Sequence, residues 1–115
     1  MKKFKVVFHI SDPNKWNILL ANISNILDDM GAENIEVNAI VNGGAVKEYI
    51  GDSDSRIISK INDLSQKGAK FMACNNALVA NGLDKELLPR VVKVVPAGVS
   101  ELTKKQFEGY AYIKP

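Results

Sequence analysis

The residue best suited to covalent chemistry is Cys74, the single cysteine among 115 residues. It stands where an apolar run, Ala69 to Ala73, stops and Asn75-Asn76, two good helix-starting residues, begin. A thiol at such a junction faces a helix amino terminus, whose free N–H groups and positive dipole end favour the thiolate, the nucleophilic form of cysteine. The competing use of Cys74 is as a small buried hydrophobe that completes a strand. With one thiol, an intrachain disulfide, a Cys-x-x-Cys redox couple and a four-cysteine zinc site are all excluded within one chain.

Other polar residues occupy comparable places. His9 ends the run KFKVVFHI and has two readings: a group that orients or deprotonates an incoming reactant, and a partly buried, hydrogen-bonded strand residue. Asn42-Gly43-Gly44 follows IEVNAIV and matches neither G-x-G-x-x-G nor a Walker motif, so it reads as a turn that needs positive φ or close approach. Pro96-Ala97-Gly98 follows VVKVV. Asp52-Ser53-Asp54-Ser55 lacks the twelve-residue pattern and closing glutamate of a calcium loop, which leaves helix capping, by Ser53 or Asp54. Trp16, Tyr110 and Tyr112 read as core or subunit-contact aromatics.

The elements that would position these residues follow from local pattern. Residues 3–10 are rich in β-branched and aromatic side chains and predict a strand, and Ser11-Asp12-Pro13 is a helix-start signal with Asp12 as cap and Pro13 in the first turn. Trp16, Leu19, Leu20, Ile23, Ile26, Leu27 and Met30 then recur at helical spacing until Gly31. Residues 35–41 predict a second strand, followed by the short stretch AVKEYIG. Ile57, Ile58, Ile61 and Leu64 predict a helix closed by Lys67-Gly68, and AKFMAC a buried third strand. Residues 75–82 predict a short helix, Leu87-Leu88-Pro89 a connector and VVKVVPAG a fourth strand. Ser100 and Glu101 suit the opening turn of a helix through about Glu108, and YAYI closes the chain as a fifth strand. Such alternation predicts an α/β fold, a three-layer α/β/α sandwich with a mostly parallel five-stranded sheet, forming one domain over residues 1–115. In such sheets reactive groups collect at the carboxyl ends of the strands, which selects His9, Asn42, Gly43, Cys74, Asn75, Asn76, Pro96 and Gly98.

Composition narrows the class. An apolar fraction of 46% with 24% charged residues is that of an ordinary globular domain. A formal charge of +2 is too small for the dense basic face of a phosphate-dominated nucleic-acid binder, so no nucleic-acid partner is expected. Lys2, Lys3 and Lys5 alternate with apolar residues as the solvated end of a strand would. No apolar run reaches a membrane span, Met1 leads directly into a strand pattern, and the lone cysteine suits a reducing compartment, so a cytoplasmic location without membrane association is expected.

Three segments go beyond general pattern: H-I-S-D-P-x-x-W near the start, C-N-N-A-L in the middle, and V-P-A-G-V-x-E-L-x-x-x-Q-x-x-G-Y-A-Y-I-K-P at the end. Together they resemble the DsrE/DsrF-like family over essentially the whole chain. The closing segment is the most specific, carrying Pro96, Gly98, Glu101, Gln106, Gly109 and Pro115 in the family's order. The resemblance implies the parallel-sheet sandwich, assembly into a homo-oligomer (dimer, trimer or hexamer), and a cysteine that carries sulfane sulfur as a persulfide, to which only Cys74 corresponds. The expected function is thus a sulfur-relay protein of sulfurtransferase type, with sulfur donor and acceptor proteins as partners and no cofactor or metal. In that reading the amides around Asn75 and Asn76 stabilise the anionic sulfur, and His9 or Asn42 hydrogen-bonds it if strand order brings them near. The alternative is a non-catalytic module of the same fold that binds a small ligand or senses redox state.

Overall fold

The computed structural model describes residues 3–51 and 55–115. The chain runs β1 (Phe4–Ile10), α1 (Trp16–Met30), β2 (Ile35–Val41), α2 (Arg56–Gln66), β3 (Lys70–Cys74), α3 (Asn75–Ala80), β4 (Val92–Val95), α4 (Gly98–Phe107) and β5 (Ala111–Ile113). The five strands form one all-parallel sheet in the order β4-β3-β2-β1-β5. This is the predicted α/β sandwich.

Each boundary has a local cause. Asp12 caps a 3₁₀ turn, Pro13–Lys15, by accepting from the Asn14 N–H, and this turn leads into α1. Gly31 ends α1 at φ 86°, a conformation that glycine adopts without strain. Ser55 caps α2 through its hydroxyl, which accepts from the N–H groups of Ile57 and Ile58. The expected caps Ser53 and Asp54 lie outside the described residues, as do Asp52, Met1 and Lys2. The AVKEYIG stretch belongs to an extended 3₁₀ segment, Gly43–Tyr49. The last helix carries Ser100 and Glu101 in its opening turn as expected, but its first residue is Gly98, expected at the end of the fourth strand, with Ala97 as an N-cap that makes no side-chain hydrogen bond.

Strand alternation sorts the side chains onto two unequal faces. Phe8, Ile10, Val37, Val41, Phe71 and Ala73 meet α1, α2 and α3 in the large core. Trp16 anchors it, fully buried, with its indole N–H donating to the Ala45 carbonyl at 2.9 Å and its ring edge-on to Tyr49 at 5.1 Å. Those contacts hold the 3₁₀ segment, and with it the end of β2, against the rest of the fold. The opposite face carries a smaller cluster of Val7, Ile40, Met72, Val95 and Leu102, covered by α4 alone. That helix packs on β1 and β2 and leaves Lys70 of β3 and Lys93 of β4 exposed. Trp16 is thus a core aromatic as expected, whereas Tyr112 is 41% exposed at the sheet edge.

Candidate functional site at the carboxyl ends of the strands

The pairing register brings the polar residues of three strands onto one face. His9 pairs with Ile40 and Met72 pairs with the same Ile40, so Asn42 and Cys74, each two residues further on, lie level on α4's side of the sheet. Tyr112 pairs with Val7 and therefore points to that face as well. The result is a row across the sheet, Tyr112 on β5, His9 on β1, Asn42 after β2 and Cys74 ending β3.

Hydrogen bonds join the first three members of this row. His9 Nε2 lies 3.0 Å from Asn42 Oδ1, and an amide oxygen only accepts, so Nε2 carries the proton. Nδ1, 2.7 Å from the Tyr112 hydroxyl, is then the acceptor of that O–H in the neutral ring. With Oδ1 engaged by His9, the Asn42 amide turns its Nδ2 toward Gly98. A Cβ placed on Gly98 would lie 3.4 Å from that Nδ2, 3.3 Å from Asn42 Cβ and 3.4 Å from Cys74 Cβ. Gly98 is thus the packing point between asparagine and cysteine, and its lack of a side chain permits the approach.

The backbone beneath Asn42 is equally constrained. Its N–H donates to the Ile10 carbonyl at 3.1 Å, and Ala45 N–H donates to the Ser11 carbonyl at 3.1 Å. Gly43 adopts φ 55°, and a Cβ there would meet the Ser11 carbonyl at 3.0 Å, so both positive φ and close approach demand glycine. The Asn81 amide at the end of α3 donates to the Gly43 carbonyl at 3.3 Å.

Cys74 is 6% exposed and is the N-cap of α3, yet its side chain makes no hydrogen bond to the helix N–H groups. The thiol thus makes no cap hydrogen bond to the amides around Asn75 and Asn76. Asn75 is half-buried and Asn76 exposed. Gly98, packed on Cys74, opens α4, whose first-turn N–H groups lack a side-chain cap and carry the positive end of the helix dipole. Pro96 is exposed just before this turn. His9 does not flank the sulfur: β2 separates β1 from β3, which with strand spacing and rise puts the two Cα atoms about 12 Å apart. Its influence passes through Asn42. Tyr112 was missed as a site residue, since its partner His9 is 103 positions away and only the β1–β5 pairing joins them.

Among the described residues no group of three His, Cys, Asp or Glu side chains gathers as a metal site, and no helix is long and apolar enough to cross a membrane. Clefts of about 390 and 430 Å³ lie between α1 and α2 and beside Pro89-Arg90, away from Cys74.

Fold and site together define a small parallel α/β protein with one thiol at the strand ends, flanked by an oriented amide and a helix amino terminus. The DsrE/DsrF-like family has a sequence model that matches residues 5–115, and the chain belongs to this family, which is related to sulfur relay. Among solved structures it is similar to the protein of unknown function MTH1491 from Methanobacterium thermoautotrophicum, with 32% identity, a TM-score of 0.87, and 98% of this chain and 100% of that one covered. It also resembles BT1422 from Bacteroides thetaiotaomicron, a conserved protein of unknown function (20% identity, TM-score 0.75, 96% and 94% covered). The ychN protein of E. coli shares the fold at 14% identity and TM-score 0.71, each chain covered in full. No curated protein matches the chain in sequence.

Proposed function

We propose that the protein is a cytoplasmic sulfur carrier that holds sulfane sulfur as a persulfide on Cys74. The observation that carries this reading is the packing of Asn42 and Cys74 against Gly98, the first residue of the uncapped helix α4. The Asn42 amide and the helix start are donors, and both favour an anionic sulfur. In loading, the Cys74 thiolate attacks the outer sulfur of a donor persulfide, R–S–SH. A new S–S bond forms as the donor's own S–S bond breaks, and the bonding pair leaves on the donor as its thiolate. Delivery repeats the step with an acceptor thiolate as attacker and Cys74 as leaving group, so no net oxidant or reductant is consumed. Asn42 supports the terminal sulfur, His9 orients Asn42, and Tyr112 orients His9.

The partners are a donor persulfide protein, an acceptor thiol protein and further copies of this chain. Exposed apolar side chains support self-assembly: Val99 and Phe107 of α4 are 65% and 90% exposed and lie, with Thr103 between them, on one helical stripe.

The test is intact mass after incubation with thiosulfate, or with a cysteine desulfurase and cysteine. Wild type gains about 32 Da per sulfur atom, a persulfide reversible by thiol, and Cys74→Ser gains nothing while keeping its circular dichroism and melting midpoint. Failure of wild type to load from several donors, although its thiol alkylates readily, refutes the carrier. The low exposure of Cys74 favours the second reading, a redox-sensing or ligand-binding module whose thiol is uncovered only on a conformational change.

A further inference from the structure

On the same face as Cys74, but toward the amino ends of the strands, α4 leaves a cleft of about 340 Å³ over β3 and β4. Its polar lining is Asn38, Lys70, Lys93 and Lys105, three lysines and no carboxylate, with Met72 and Val91 among its apolar residues. The lysines come from three elements: Lys70 from β3, Lys93 from β4 and Lys105 from α4. A smaller adjoining cleft of about 180 Å³ shares Asn38 and Lys70 and adds Lys3, Tyr110 and the carboxylate Glu36. The nearby carboxylate, Glu36, accepts from the Tyr110 hydroxyl at 3.3 Å, and Lys105 rests 5.0 Å over the Tyr110 ring.

Among the described residues Asn38 is the one buried polar residue, 2% exposed, and its Oδ1 is sealed from solvent without a hydrogen-bond partner. An amide oxygen so placed costs more than it returns unless a donor reaches it. The lysines offer charge to an anion; the amide oxygen needs a donor from the same ligand.

We propose that this cleft binds a hydroxyl-bearing oxyanion, of which hydrogen phosphate is the simplest. The charged oxygens accept from Lys70, Lys93 and Lys105, and the acidic O–H donates to Asn38 Oδ1 as the amide turns toward the ligand. Lys70 is four residues before Cys74, about 13 Å along β3, so the site is independent of the thiol.

Calorimetric titration of inorganic phosphate into the full chain, with sulfate as comparator, tests the proposal. Sulfate carries similar charge but no O–H at neutral pH, so one-to-one phosphate binding about tenfold tighter than sulfate is expected. Lys93→Gln combined with Lys105→Gln weakens both anions at least about tenfold. Asn38→Leu removes the preference for phosphate while sulfate affinity stays, and Cys74→Ser leaves both unchanged, which keeps this outcome separate from sulfur loading. Equal binding of the two anions overturns the role of Asn38. Binding that ignores the lysine pair, or no binding by a chain folded by circular dichroism, overturns the site. Should Asn38→Leu not fold, the phosphate-to-sulfate ratio of wild type and of Lys70→Gln decides.

Discussion

At the level of single residues, the row Tyr112–His9–Asn42–Cys74 divides two tasks that a lone nucleophile cannot perform together. In the proposed carrier Cys74 supplies sulfur, and Asn42 supplies a directed donor whose orientation is set by the His9 Nε2–H. An asparagine free to rotate would offer oxygen as readily as nitrogen, and oxygen repels a sulfur anion. Asn42→Ala is therefore expected to slow sulfur loading about tenfold, the cost of one hydrogen bond to a charged group, with little change in melting midpoint. His9→Ala should slow loading by a smaller factor, and Tyr112→Phe by less again, because each acts one residue further from sulfur. Single-turnover loading followed by mass spectrometry ranks the three, and equal rates for Asn42→Ala and wild type would remove the asparagine from the mechanism. Of this row, Cys74, His9 and Asn42 were legible in the sequence because each ends a strand. Tyr112 was not, since its role depends on which strand lies next to β1, a property of the sheet and not of any local pattern.

At the level of elements, the start of α4 decides the shape of the site. Ser100 and Glu101 stand in its opening turn as their chemistry suggests, whereas Gly98, read from the sequence as the end of the fourth strand, is its first residue. Gly98 passes between Asn42 and Cys74, a packing contact that no local pattern reports. Gly98→Ala brings a methyl to 3.3–3.4 Å from both neighbours, closer than ordinary contact. It should cost about 1 kcal/mol of stability and slow loading more than that loss explains, read by comparing chemical denaturation with loading rate. The 3₁₀ segment after β2 offers a pH test. Tyr49 is buried with its hydroxyl donating to the Met72 carbonyl at 3.0 Å, and burial holds its ionisation well above the usual 10.0. A raised folded value means that the native state keeps its proton where the unfolded chain loses it. Its stabilising contribution is thus fully present below about pH 10 and is lost as pH rises through the folded value. Tyr49→Phe should cost about 1 kcal/mol at pH 7 and flatten the fall in stability above pH 10, seen in denaturation midpoints across that range.

At the level of the whole molecule, helix and strand periodicity carried the fold class, because β1, β2 and β3 are mostly apolar and β-branched or aromatic, and alternate with helical stripes as parallel strands covered on both faces do. Strand order was not legible: β4 and β5 follow each other in the chain yet lie at opposite edges. Their connection sends α4 across the second face with Phe107 90% exposed. If that side chain seats against another copy, Phe107→Asp should lower the mass measured by light scattering to that of a monomer while circular dichroism stays unchanged. A wild type that is already monomeric at micromolar concentration would instead assign Phe107 no role in assembly.

β5 has three residues, all exposed, and pairs with β1 only. Such an edge strand opens at far lower free energy than the core strands, so its amides should exchange hydrogen well before those of β2. Each opening takes Tyr112 off His9 and frees the imidazole that orients Asn42. The competence of the thiol site is therefore a time average set by a local fraying equilibrium. Whatever clamps the last strand, a neighbouring subunit or a docked acceptor, would raise that average without touching Cys74.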